Sequence, residues 1–209
     1  MYHIPYFKAA DDAELWAFMQ AHSFVILSGI SKDGKQVATH IPVLLEKRAE
    51  KIWLRAHIMR KQLHTLAFEN NNDVLIIFTG PHCYISATWY ENPRTAGTWN
   101  YQAVHARGRL QFLEDDVLVK ILADLTAVYE NNPSSEALVE NMSSDYISSM
   151  LKAIVGFEIE LTEIEHVFKM SQNKNIMTYN NIINQLQKGN ADEQAVARIM
   201  IERKEKVFG

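Results

Sequence analysis

The chain has 209 residues, 47% hydrophobic and 22% charged, a composition that suits an ordinary globular fold and excludes a disordered or fibrous one. Its 21 basic and 25 acidic side chains leave a net charge of -4, which argues against a protein that grips nucleic acid mainly through phosphates; only Lys47 to Lys61 is locally basic. A single cysteine, Cys83, rules out an internal disulfide framework, and no run of about 18 apolar residues offers a membrane span. From Asp11 to His22, Leu15, Phe18, Met19 and His22 fall at helical spacing behind capping aspartates. Phe24 to Ile30 and Lys35 to Leu45 are rich in β-formers and flank Ser31-Lys32-Asp33-Gly34, so a hairpin is predicted. A third strand is predicted over Lys51 to Ile58, a helix over Lys61 to Asn70 on the stripe Leu63, Leu66 and Ala67, and a buried strand over Asp73 to Thr79.

Gly80-Pro81 reads as a turn. After it His82 to Tyr90 and Thr98 to Leu113 read as two further strands, joined by the polar loop Glu91 to Gly97. Asp115 to Asn131 is a capped amphipathic helix on Leu118, Ile121, Leu122 and Leu125, and Met142 to Ile154 is a shorter one. Val155 to Leu161 alternates apolar and polar residues with period two, the pattern of a half-exposed strand. The tail from Asn175 to Phe208 reads as two helices broken at Gly189-Asn190. Many short strands with helices at the ends predict an α+β, mainly β fold: a six- to seven-stranded antiparallel split β-barrel with peripheral helices. The N-terminus has no basic segment leading into an apolar one, and with one cysteine this predicts a cytoplasmic protein.

The motifs for dinucleotide and P-loop binding, for zincins and for the nucleophile elbow are all missing from the sequence. Three segments carry chemistry instead. In Thr39-His40-Ile41-Pro42 the proline confines the strand to an edge or bulge, which leaves backbone groups for a planar ligand or simply a solvated rim histidine. Trp53, Arg55 and His57 share a strand face, and Arg60 and Lys61 follow where the chain turns into a helix. Positive charge beside a helix N-terminus suits a phosphate monoester, or it balances Glu46 and Glu50 in a solvated loop. In the strand from Thr98, the polar Thr98, Asn100 and Gln102 alternate with Trp99, Tyr101 and His105, a mixture that suits a flavin ring or packing against another subunit. Ser171 to Asn173 either cap the following helix or close a pocket, and Cys83 reads as a packed small side chain.

Taken in order, Thr39-His40-x-Pro42, Gly80-Pro81-His82-x-Tyr84-Ile85-Ser86 with Trp89-Tyr90, Thr98-Trp99-Asn100-Tyr101-x-Ala103-Val104-His105, Gly156-Phe157 and Lys169-x-Ser171-Gln172-Asn173-Lys174 resemble the PaiB-type FMN-binding negative transcriptional regulators. That resemblance runs from the N-terminus to about Lys188. It implies a split barrel similar to pyridoxamine phosphate oxidase-like flavoproteins, FMN as cofactor, and a homodimer with the flavin near the interface. With the tail read as two helices, the chain divides into an expected barrel domain over residues 1–174 and a helical tail over 175–209. By position it suggests Thr39, His40, Ile41, Arg55, His57, Arg60 and Lys61 around the flavin and its phosphate, with Thr98, Trp99 and Asn100 at the ring or the interface. The chain departs from the family pattern after its third strand, where Ala56-His57 and Lys61-Gln62 replace the expected Gly-His and Asn-Pro. DNA as a partner comes from the resemblance alone, since no basic recognition helix is visible. An FMN-dependent oxidoreductase acting on a small molecule, and a haem-handling barrel using His105 or His166, are the competing readings, and no catalytic residue stands out.

Overall fold

The computed structural model describes residues 1–209. Its elements in chain order are α1 (Asp12–Ala21), β1 (Phe24–Ile30), β2 (Gln36–Pro42), β3 (Leu44–Arg48), β4 (Lys51–Met59), α2 (Leu63–Asn70), β5 (Asp73–Ile85), β6 (Thr98–Phe112), α3 (Asp115–Glu130), α4 (Ser144–Ala153), β7 (Ile154–Lys169), α5 (Ile176–Leu186) and α6 (Ala191–Phe208), with short 3-10 turns at Pro5–Phe7, Ala87–Trp89 and Val139–Asn141. The seven strands form one sheet in the order β2-β1-β5-β6-β7-β4-β3. No helix is long and apolar enough to cross a membrane.

Two compact units share these strands. The first to be described comprises Met19–Phe78 and His105–Ile164, and it contains the barrel. Here β2 pairs with β1 along Phe24↔Pro42 to Ile30↔Gln36, while β3 pairs with β4 along Leu44↔Arg55 to Arg48↔Lys51. The two strands that end the sheet order are thus consecutive in sequence and separated only by Val43, which is buried and donates its N–H to Ser23 O at 2.9 Å. Seven strands laid flat at about 4.8 Å spacing would hold their outer members about 29 Å apart, whereas a single intervening residue spans about 7 Å. The sheet must therefore curl until its ends meet. Val25, Leu27, Ile41, Leu54, Ala56, Ile58, Val74, Ile76, Phe78, Phe157 and Ile159 alternate along the strands as the buried interior.

Helix α2 adds Thr65, Ala67 and Phe68 to this core, and its Leu63 and Leu66 are exposed. This corrects the predicted stripe of Leu63, Leu66 and Ala67. The helix takes its phase from Phe68, whose ring lies where Gly29 of β1 lacks a side chain. On the barrel's flank, Leu118 and Leu122 of α3 join Val139 in a cluster that takes in Ile147, Met150, Leu151 and Ile154, and Gly156 of β7 lets Leu118 approach.

The other unit comprises Met1–Phe18, Thr79–Val104 and Glu165–Gly209. Its core gathers Cys83, Ile85 and Tyr90 with Tyr179, Ile182, Leu186, Val196 and Met200 from α5 and α6. The Tyr179 hydroxyl donates to Met200 O at 2.9 Å, and burial pushes it up to about 12. Arg203 of α6, itself buried, ion-pairs with Glu14 of α1 and donates to Lys8 O at 2.9 Å. Asn190 caps α6 in a reciprocal arrangement with Glu193.

Two boundaries differ from expectation. The run Lys35 to Leu45 is split at Val43 into β2 and β3, because the chain crosses there from one end of the sheet to the other. Gly80-Pro81 is no turn and His82 to Tyr90 is no separate strand: β5 continues to Ile85, and a 3-10 turn follows. Buried positions run through Phe78 and Gly80 and then resume at Cys83 and Ile85, so one residue is gained at Pro81-His82. An in-strand bulge accommodates a proline that has no N–H to give the ladder.

A Cβ on Gly108 would collide with Glu160 O and Ile159 on β7, whereas Gly34 has open space and only a left-handed φ of 76°. Gly108→Ala is expected to cost about 1–3 kcal/mol and Gly34→Ala about 1 kcal/mol, read as lowered urea midpoints at unchanged slope.

Candidate flavin cleft

Where the ends of the barrel sheet meet, a cleft of about 350 Å³ is lined by Thr39, His40, Ile41 and Pro42 of β2, His57, Ile58 and Met59 of β4, Gln62 and His64 at the start of α2, and Ile154. Local rules set part of this lining. Alternation along β4 buries Leu54, Ala56 and Ile58 and turns Trp53, Arg55 and His57 to the other face. Pro42 ends β2. The Thr65 hydroxyl donates to Met59 O at 2.6 Å and ties the first turn of α2 to the end of β4.

Helix α2 begins without a side-chain cap and with no acidic residue in its first turn. The first intrahelical bond recorded there is Leu66 N to Gln62 O at 3.0 Å. The N–H groups ahead of it are open donors, and the helix dipole favours an anion beside them. His57 Nδ1 is buried with no hydrogen-bond partner. Burial holds the His57 and His64 imidazoles below the ordinary value of 6.5. His40 lies at the mouth, its ring 6.2 Å from that of Phe24.

The remaining positions suggested by sequence fall into three groups. Arg55 faces Glu46 at 3.4 Å and Asp124 at 3.1 Å. Arg60 reaches the Asp115 carboxylate at 2.9 Å and Leu151 O at 3.2 Å. Both guanidinium groups are thus held by acids from β3 and α3. Lys61 follows with a left-handed φ of 59° and is exposed. Thr98, Trp99 and Asn100 belong to the other unit. There Thr98 accepts a hydrogen bond from Lys169 at 2.5 Å, Trp99 is exposed and lies 6.1 Å from Tyr84, and Asn100 is fully buried.

Asn100 Oδ1 accepts from Ser171 Oγ at 3.0 Å, and its amide nitrogen donates to Met200 Sδ at 3.5 Å. Ser171 is buried with a left-handed φ of 62°, and Gln172 closes the same turn by accepting from Met170 N at 2.6 Å and donating to Phe168 O at 2.5 Å. The cap of α5 is Asn175, which accepts from Thr178 N at 2.9 Å, so Ser171 to Asn173 form the turn before the cap rather than the cap itself. Burial pushes the Cys83 thiol up to about 12, which fits a packed side chain and leaves little thiolate. Sequence reasoning passed over Gln62 and His64. The signal was present as a histidine in a first helical turn that carries no acid.

Burial also lowers His22 and His166. A histidine whose folded value is depressed takes up protons more readily when unfolded, so stability is full above about 6.5 and is lost as pH falls toward the folded values. Urea unfolding is expected to show the midpoint falling over that window and levelling below it, with His57→Gln removing its share of the slope.

Residues 1–163 match the family described as "Putative FMN-binding domain". The chain is 36% identical over 207 residues to the protease synthase and sporulation protein PAI 2 of Bacillus subtilis, covering 99% of each. Among solved structures it is similar to the FAD and heme binding protein of Mycobacterium smegmatis, at a TM-score of 0.58 and 13% identity over 77% of this chain and 72% of that one. It is similar also to a conserved hypothetical protein of Mycobacterium tuberculosis, at a TM-score of 0.56 and 14% identity over 78% and 87% of the two chains. Such low identities establish the fold, and the long match to the Bacillus protein establishes the lineage. The chain belongs to the PaiB-type family of FMN-binding proteins, with FMN as its cofactor on a split barrel.

Proposed function

We propose that FMN binds in the cleft between β2 and β4, and that the protein acts as a flavin-responsive negative regulator of transcription in the manner implied by its family. The observation that carries the placement is the orphaned, buried His57 Nδ1 in a cleft that ends on the uncapped start of α2. The residues suit the group. The open amides of Leu63 and His64, with Lys61 and Gln62 beside them, offer donors to a phosphate. Thr39, His40 and Ile41 offer a strand edge to the polar rim of the ring, and Ile58, Met59 and Ile154 offer apolar surface to its benzenoid part. Bound there, FMN supplies an electron-accepting ring; this chain's residues hold it, orient it and limit its contact with water.

A homodimer, with the flavin near its interface, fits a second groove on the barrel. Arg107 lies 3.7 Å from Glu163 and Arg109 lies 3.6 Å from Asp73 along a broad exposed groove that also takes in Ile30 and Ile77. Rows of both signs around apolar residues are self-complementary, as a two-fold interface requires. The PAI 2 relative's name ties it to protease synthesis and sporulation, and we extend control of that kind of gene to this chain. A net charge of -4 favours a second reading, an FMN-dependent oxidoreductase acting on a small molecule without DNA.

Purified protein is expected to bind FMN near one per subunit, seen in the visible spectrum, and to elute as a dimer on size exclusion. Thr39→Trp and His57→Ala should each weaken FMN by about tenfold or more, the loss of one or more good contacts. A salt-sensitive shift of promoter DNA that changes with flavin loading supports the regulator. Turnover of a reduced nicotinamide with no shift under any flavin state selects the oxidoreductase.

A further inference from the structure

We propose that the cleft takes up a proton when it takes up a flavin phosphate, through the imidazoles of His57 and His64, so that FMN is bound more tightly as pH falls. This rests on the reading of the cleft as the flavin site.

The argument is one of charge balance. Above about pH 6.5 a phosphate monoester is mostly a dianion, its second pKa being about 6. The arginines nearest the cleft are already committed. Arg55 is held by Glu46 and Asp124, Arg60 by Asp115, and Arg48, next along the same hairpin, by Glu46 and Glu158. From β7 the facing acid is Glu158, and from α3 the acids are Asp115 and Asp124, all spent on those arginines. Helix α4 ends with Lys152 in its last turn. Helix α2 contributes His64 and no acid in its first turn, β2 contributes His40, and Lys61 precedes the helix without an ion pair. At the helix start itself, Lys61 and the partial positive charge of a short helix leave a dianion under-neutralised.

Two imidazoles line the same cleft with capacity to spare. His57 Nδ1 has no partner at all, and His64 sits among the open amides of the α2 start. Before the anion arrives, burial keeps both rings neutral near pH 7. An anion within hydrogen-bond reach reverses the balance, because an opposite charge at short range favours the charged imidazolium. The folded-state value of each ring is therefore low in the free protein and higher in the complex, and binding between those two values draws in a proton. By linkage the affinity rises as pH falls across that window.

The test uses the full chain with two probes, FMN and riboflavin, which differ by the phosphate. Affinities are measured by quenching of flavin fluorescence from about pH 8.5 to about pH 6.5, above the range where the phosphate itself is titrated. Proton uptake is counted by calorimetry in buffers of different ionisation heat. FMN should tighten by up to about tenfold per pH unit for each proton taken up, with riboflavin flat. His57→Gln and His64→Gln, which keep amide hydrogen bonding but cannot titrate, should each flatten the FMN profile; circular dichroism checks their folding, and either variant suffices. FMN bound with a pH-independent affinity and no proton uptake overturns the proposal while the cleft reading stands. FMN affinity untouched by Thr39→Trp and His57→Ala overturns the cleft reading and the proposal with it.

Discussion

The barrel depends on a covalent constraint at Val43. Because β2 ends at Pro42 and β3 begins at Leu44, one buried residue joins the two extremes of a seven-strand sheet. No flat arrangement satisfies both the β1–β2 register and the β3–β4 register. Closure follows from chain connectivity before any side chain is considered, and the alternating interior residues then have a single enclosed space to fill. Closure through a crossing segment, rather than through a continuous hydrogen-bonded ladder, also leaves β2 and β4 in contact without being ladder neighbours. The cleft is what remains between them.

A cleft made this way inherits its chemistry from strand edges and from the helix that begins beside it. The exposed side of β4 carries Trp53, Arg55 and His57, and the β3–β4 hairpin and α3 supply Glu46, Asp124 and Asp115 to neutralise the arginines. Arginines that look available in the linear sequence are thus structural: they tie the hairpin and the barrel's flanking helix together. Half-exposed pairs of this kind are each worth little in isolation, about 1 kcal/mol or less, but they determine which positive groups stay free to meet a ligand. The free ones are Lys61, the α2 amides and, on protonation, the imidazoles.

The unit containing α5 and α6 is organised by buried polar contacts of another type. Ser171, in a left-handed conformation, donates to Asn100, and Gln172 binds backbone on both sides of the turn. A non-glycine residue held at positive φ costs about 1 kcal/mol or more, and here the surrounding hydrogen bonds over-determine it. The Arg203–Glu14 pair, buried near the Lys8 carbonyl, joins the last helix to the first. Removing one partner of such a pair strands the other charge, so these residues are tied to the unit's integrity.

Periodicity and turn chemistry made most elements legible in the sequence. The helices at Asp12–Ala21, Asp115–Glu130 and Ala191–Phe208, the hairpin at Asp33-Gly34 and the half-exposed start of β7 all rest on interactions within a few residues of one another. So did the partition of β4 into a buried and a polar face, which put Arg55 and His57 together, and the prominence of Thr39 to Ile41. The break at Val43, the bulge at Pro81-His82, the outward turn of Leu63 and Leu66, and the place of His64 in the cleft were decided by partners distant along the chain. The same holds for the commitment of Arg55 and Arg60 to acids 69 and 55 residues away. Local spacing encodes which face of an element is apolar, because that depends on geometry repeated every two or 3.6 residues. Which elements then meet, which charges are spent on one another and which donors are left unpaired depends on closure of the whole sheet, and only the tertiary structure decides it.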